Sequence, residues 1–226
     1  MLFNKSLLAI ALLAIAGSAF AAPVANLKID GLVTPPTCTV NGAEQGELVT
    51  DFGAVSPSWL NRTGTGTTGA KALPAQFLPL TVTCDASTYL TFILTDTYQS
   101  ANKEISALPF SSALVANNNK SISVGYNYYT MYNMAVDGKK AYFGRVYSAY
   151  GNTTILPGTV TGWTSESQIG GASTSTLKLV AGKVFTTDLT VSATLWSRER
   201  IAASGINLSE QVDYIGESVM AFSFGV

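Results

Sequence analysis

Two cysteines constrain this chain more than any other feature. Cys38 and Cys84 lie 46 positions apart, and each is the other's only possible intrachain partner. Both follow segments in which apolar and polar residues alternate. Ahead of Cys38, Leu27, Ile29 and Val33 share one parity around Gly31, with Lys28 and Asp30 on the other. Ahead of Cys84, Leu78, Leu80 and Val82 do the same. A period of two suits strands with one buried face. Pro35 and Pro36 remove two backbone donors just before Cys38, so the opening strand must break there or run as an edge. The expectation is a strand, a kink and a staple to the next long strand. The alternative at this stage is a pair of buried free thiols.

The redox compartment bears on that choice. Lys5 precedes an unbroken apolar run from Leu7 to Ala16, and Ala19-Phe20-Ala21 fits a small-x-small cleavage site. Ten helical residues span roughly 15 Å, about half a bilayer core, which favours a cleaved leader over a membrane anchor. Residues 1–21 are therefore expected to be a signal peptide, and 22–226 one domain. An exported chain with two cysteines is expected to oxidise them.

The balance of 13 Lys+Arg against 14 Asp+Glu offers no basic surface for nucleic acid. At 47% hydrophobic and 12% charged the chain can fill a core. Further strands are expected at Glu47 to Val55, Phe77 to Cys84, Tyr89 to Thr95, Ser121 to Val136 and Ala141 to Tyr147. Others are expected near Val160, at Leu177 to Val180, at Thr187 to Trp196, where Leu189, Val191, Ala193 and Leu195 oppose Thr190, Ser192, Thr194 and Trp196, and at Gly216 to Val226. In Ser121 to Val136, Tyr126, Tyr128, Tyr132, Met134 and Val136 share one parity. Asp137-Gly138 is the two-residue hairpin signal. The stretch from Ser56 to Gln76 and the one from Asp96 to Asn119 read as loops, and Ser197 to Tyr214 as irregular and part helical. Many short strands with turn signals and no sustained helical period predict an all-β sandwich.

Catalytic and cofactor chemistry finds little support. Gly64-Thr65-Gly66-Thr67-Thr68-Gly69 spells a dinucleotide motif, but no buried strand precedes it and no helix follows. Ser100 to Lys103 and Ser175 to Lys178 spell S-x-x-K outside the helix start that acyl transfer needs. The chain has no histidine, the usual general base and commonest metal ligand. Glu199, Glu210, Asp213 and Glu217 read as solvated charges rather than an acid–base pair. The expectation is a protein that is not an enzyme and holds no cofactor or metal. Tyr126, Tyr128, Tyr132 and Trp163 offer rings that could stack on glycans, against the plainer reading of aromatic strand packing.

Taken together, Leu27-x-Ile29-x-Gly31-x-Val33, then Cys38-x-Val40, resembles the first strand of chaperone–usher pilus subunits. Cys84 stands where that family closes its single disulfide. Asp188 to Trp196 followed by Gly216 to Phe224 is similar to its last two strands. The Pro-Pro-x-Cys segment, Leu80 to Asp85 and the Gly-marked terminal strand bring it nearest to the β-fimbrial branch. The resemblance implies an immunoglobulin-like Greek-key sandwich that lacks its last strand. It implies a structural subunit of a surface fimbria, exported to the periplasm and then displayed on the cell. Its partners would be a periplasmic pilus chaperone, an outer-membrane usher and other fimbrial subunits. Gly216, Met220, Phe222 and Phe224 would lie on the strand that the chaperone grips. Ala22 to Asn26 reach at most about 18 Å, too short for a donor arm. So Leu27 to Val33 is itself the donor, or the subunit only accepts a strand at a fibre end, or the domain is self-complemented. A tip adhesin that binds host or surface glycans is the other function the resemblance allows.

Overall fold

A computed structural model describes residues 35–64, 67–102, 108–146, 153–172 and 176–225, with the side chains of 169–172 set aside. The leader 1–21 and the opening strand (Leu27, Ile29, Gly31, Val33) lie outside the described residues. The strands are β1 (Cys38–Val40), β2 (Lys71–Ala72), β3 (Gln76–Asp96), β4 (Ser112–Ala116), β5 (Asn119–Val136) and β6 (Lys139–Lys140). They continue with β7 (Tyr142–Val146), β8 (Val160–Thr164), β9 (Gln168–Ala172), β10 (Ala181–Leu195), β11 (Tyr214–Ile215) and β12 (Ser218–Phe224). One short helix, α1 (Arg198–Ala203), follows β10. No helix among the described residues is long and apolar enough to cross a membrane.

The protein is an all-β sandwich, and β3 belongs to both layers. Its first half pairs with β10 and β1, and its second half with β12 and β8. The order β11-β4-β5-β10-β3-β8-β7-β9 runs through that shared strand. Inward parity survives the switch: Leu80, Val82, Cys84, Leu90, Phe92 and Leu94 are all buried in one core. Leu189 and Phe185 of β10, Met131, Met134 and Val136 of β5, and Trp163 of β8 complete it. A second core gathers Leu114, Val124, Ala193, Leu195 and Trp196 under the loops around Leu60 and Ile206 and helix α1.

The disulfide forms between Cys38 and Cys84, which stand directly opposite each other in the β1–β3 register. Beyond the short β1, Asn41 extends the pairing with its side chain. Its Oδ1 accepts from the Thr81 amide at 2.8 Å, and its backbone N–H donates to Thr81 O at 2.8 Å.

Asp137-Gly138 makes the expected hairpin. Their φ values of +50° and +73° are both left-handed, as a type I′ turn requires. Asp137 Oδ1 also accepts from the Val184 and Lys183 amides at 2.9 and 3.0 Å, and these bonds hold its carboxyl below the usual range. A depressed carboxyl stabilises the fold above its unfolded pKa of about 3.9, and that contribution disappears as pH falls through the folded value. Asp137→Asn should therefore be less stable than the parent at neutral pH. The two should converge in acid, measured as urea midpoints along a pH series.

Five sequence expectations are corrected. Residues 47–55 form no strand, although Gly53 does bend the chain at φ +70°. The return from the hairpin pairs with β5 only at Lys139–Lys140; β7 then crosses to β8 in the other layer. β4, fully buried, occupies what reads as loop. Trp196 is buried, because the chain bends into α1 and carries the ring into the second core. The shared parity from Tyr126 to Val136 breaks at a bulge, where Asn133 adopts φ +51° and Thr187 alone opposes Asn133 and Met134.

Candidate functional site

Among the described residues, β12 brings apolar side chains and an open backbone edge together. It pairs with β3 from Ser218↔Asp96 to Phe224↔Leu90. Among the described residues no strand pairs with its other edge. Thr97 N donates to Glu217 O at 3.1 Å and Gly225 N to Tyr89 O at 2.9 Å, so odd positions face β3. In an antiparallel ladder this leaves the N–H and C=O of Ser218, Met220, Phe222 and Phe224 pointing away.

The same even positions carry the apolar side chains. Met220 and Phe222 are half-buried against the main core, and the Phe222 ring lies 5.8 Å from that of Phe92. Phe224 remains 44% exposed and Val219, on the opposite face, 53%. An edge of this kind templates the addition of another strand.

The root of β12 is fixed by polar contacts. Tyr129 Oη lies 3.2 Å from Ser218 Oγ, which lies 3.1 Å from Ser112 Oγ, and Asn127 Nδ2 donates to Tyr129 Oη at 2.7 Å. Tyr98 Oη donates to Glu217 Oε2 at 3.0 Å. Asp96 accepts from the Tyr98 and Ala113 amides, both at 2.9 Å, while burial pushes its carboxyl pKa upward. Burial likewise raises the Tyr129 hydroxyl. Gly216 sits where a Cβ would come within 2.7 Å of Leu114 Cδ2 and 3.2 Å of Asn127 Oδ1. The turn into β12 is therefore packed tightly, and its far end is tied to β3, where Thr91 Oγ1 donates to Gly225 O at 2.8 Å.

The structure disperses the aromatic residues. Tyr126 packs on Trp196 at 5.1 Å and Tyr128 on Phe110 at 5.7 Å. Trp163 is 0% exposed, with Nε1 donating to Thr186 O at 2.9 Å, so its faces are closed to a sugar. Only Tyr132, 50% exposed, presents its ring to solvent. The sequence signal for its exposure was the Tyr132-Asn133 pair itself, since asparagine tolerates the left-handed backbone that turns both outward.

The other motifs take ordinary roles. Gly64 and Gly69 approach so closely that a Cβ on either would fall 2.2 Å from a carbonyl oxygen; β2, not a helix, follows. Ser100 lies in a 3-10 turn, while Lys103 and Ser175 lie outside the described residues. Lys178 pairs with Glu166 at 2.6 Å. Glu210 and Asp213 accept from Asn207 and Gln211, and Glu199 stands in the first turn of α1. No cluster of metal-ligating side chains occurs among the described residues.

No family model matches the chain, and no curated protein matches it in sequence.

Proposed function

We propose that the chain is a structural subunit of a bacterial surface fimbria, held by a periplasmic chaperone and assembled by donor-strand complementation. One observation carries this reading: the open edge of β12, where Met220, Phe222 and Phe224 combine outward backbone groups with half-exposed apolar side chains. A strand from a chaperone, and later from another subunit, satisfies both at once, giving backbone partners to the even positions and covering the core beside Phe222. The disulfide accords with export to an oxidising compartment.

Amide exchange tests the reading position by position. In the complex with a pilus chaperone, the N–H groups of Met220, Phe222 and Phe224 should be protected. In the released subunit they should exchange fast, while Val219, Ala221 and Ser223 stay slow in both. A freely soluble, reversibly folding monomer with slow exchange at the even positions overturns the proposal.

A further inference from the structure

β1 runs into a turn that carries the only Asn-Gly pair of the sequence, Asn41-Gly42. Val40 and Ala43 exchange two backbone hydrogen bonds, at 2.7 and 3.0 Å, and the residues between them have φ values of +48° and +86°. Two left-handed residues are what a two-residue hairpin needs. Asparagine before glycine is also the pair most given to deamidation, because glycine has no Cβ to shield its backbone nitrogen. Asn41 and Gly42 are both exposed, and a Cβ added to Gly42 would meet nothing within 4 Å. Water therefore reaches the pair. The Asn41 side chain is nevertheless held away from its neighbour. Oδ1 accepts from Thr81 N–H at 2.8 Å, and Nδ2 donates to Pro79 O at 3.2 Å. Both partners belong to β3. Cγ can swing onto the Gly42 nitrogen only when both bonds break, which happens when the end of β1 lifts from β3.

We propose that Asn41 is a covalent modification site gated by the docking of β1: closed while the strand lies on β3, open when it lifts. The chemistry needs only water. The Gly42 nitrogen attacks Asn41 Cγ and gives up its proton, the Cγ–Nδ2 bond breaks, and ammonia leaves. A succinimide ring remains. Water then opens that ring at either carbonyl and leaves aspartate or isoaspartate at position 41; nothing is oxidised or reduced. Either product carries a carboxylate at neutral pH where the amide had been. Its oxygens only accept, so the bond to Pro79 O is lost and two acceptors face each other. Isoaspartate also inserts an extra backbone carbon into a tight turn. The modified strand therefore redocks poorly, and each conversion makes further opening more frequent. The short β1 ladder and the disulfide set how often the gate opens. The inference does not rest on strand complementation, because β12 makes none of the Asn41 contacts.

The test incubates the protein at mildly alkaline pH and follows conversion at position 41 by peptide mass spectrometry, with aspartate and isoaspartate separated. The disulfide-bonded protein is compared, folded, with the same protein unfolded in urea. Conversion in the folded sample should be at least about tenfold slower, since only the lifted strand reacts. A folded Cys38→Ala, Cys84→Ala variant should convert at a rate between the two. Asn41→Asp, made in the disulfide-bonded protein, tests the consequence without relying on the cysteine-free variant. Thr81 and Asp85 both donate their N–H to β1 residues, so the odd-numbered amides of β3 face β1 there and Val82 faces β10. In Asn41→Asp the Thr81 and Thr83 amides should exchange about tenfold faster than in the parent, and Val82 at the parent rate. Equal conversion in folded and unfolded protein overturns the proposal. So does a folded cysteine-free variant that converts no faster than the parent, or unchanged exchange at Thr81 and Thr83 in Asn41→Asp. None of these outcomes bears on exchange at β12.

Discussion

Trp163→Ala should destabilise the domain by about 3–5 kcal/mol, a large share of the roughly 5–15 kcal/mol that holds a typical domain folded. The ring is the keystone of the main core. It meets Phe92 at 6.1 Å and Phe185 at 5.5 Å, and Phe92 in turn meets Phe222 at 5.8 Å. β3, β10 and β12 thus bear on one side chain of β8, directly or through one intermediary. Alanine leaves a cavity that these rings cannot fill without leaving their registers, and it strands the Thr186 carbonyl that Nε1 serves. Trp163→Phe keeps most of the volume and loses the hydrogen bond, so a loss of only about 1–2 kcal/mol is expected. Urea unfolding of the two variants separates these costs. The alanine variant should also speed amide exchange along β12, since Phe222 rests on Phe92. A loss below about 1 kcal/mol would show that the core closes around the gap, and that the ring chain is not what ties the layers together.

How much of this was legible depends on where alternation holds. In β3 the even positions face inward from Leu78 to Cys84 and again from Leu90 to Leu94, so the two strands expected there and most of the core followed from period two; their union into one strand through the exposed Ala86 did not. The cysteine pair and the Asp137-Gly138 turn were equally plain, because each depends on local chemistry. The failures have physical causes too. β4, Ser112–Ala116, is buried at every position, and a strand buried on both faces shows no alternation. The bulge at Asn133 inserts one residue and inverts everything before it, so Tyr126, Tyr128 and Tyr132 do not share the face of Met134 and Val136. The sheet change after Lys140 is a tertiary event: Tyr142–Val146 has strand composition in either layer. A short strand near Val160 was expected, but in it both Trp163 and its neighbour Thr164 are buried, and the sequence does not say which face is wet. The open edge of β12 lies between these cases. Its alternating Met220, Phe222 and Phe224 were readable, whereas the even-numbered outward amides emerge only from the register with β3.

Removing the disulfide should cost about 4 kcal/mol by the chain-entropy model for a loop of this length. The effect is expected to be large because so little else holds β1. Among the described residues the ladder pairs only Cys38↔Cys84, Thr39↔Thr83 and Val40↔Val82, with two bonds between Thr37 and Asp85 before it, and so short a ladder on a sheet edge frays readily without a crosslink. The competing tether is Asn41, bonded twice to Thr81 and once, through Nδ2, to Pro79 O at 3.2 Å. The two can be told apart. Cys38→Ala with Cys84→Ala should lower the urea midpoint sharply at an unchanged slope, whereas Asn41→Ala in the oxidised protein should cost about 1–2 kcal/mol. If the cysteine variant loses less than the asparagine variant, the side-chain clamp is the stronger tether. Loss of β1 would also bare the β3 backbone from Thr81 to Asp85, on the same side of β3 that β12 occupies further along. The reduced protein would then bare the edge of its longest strand as well as that of β12. It should therefore aggregate faster than the oxidised form at equal fraction folded, measured by light scattering in parallel with the urea series.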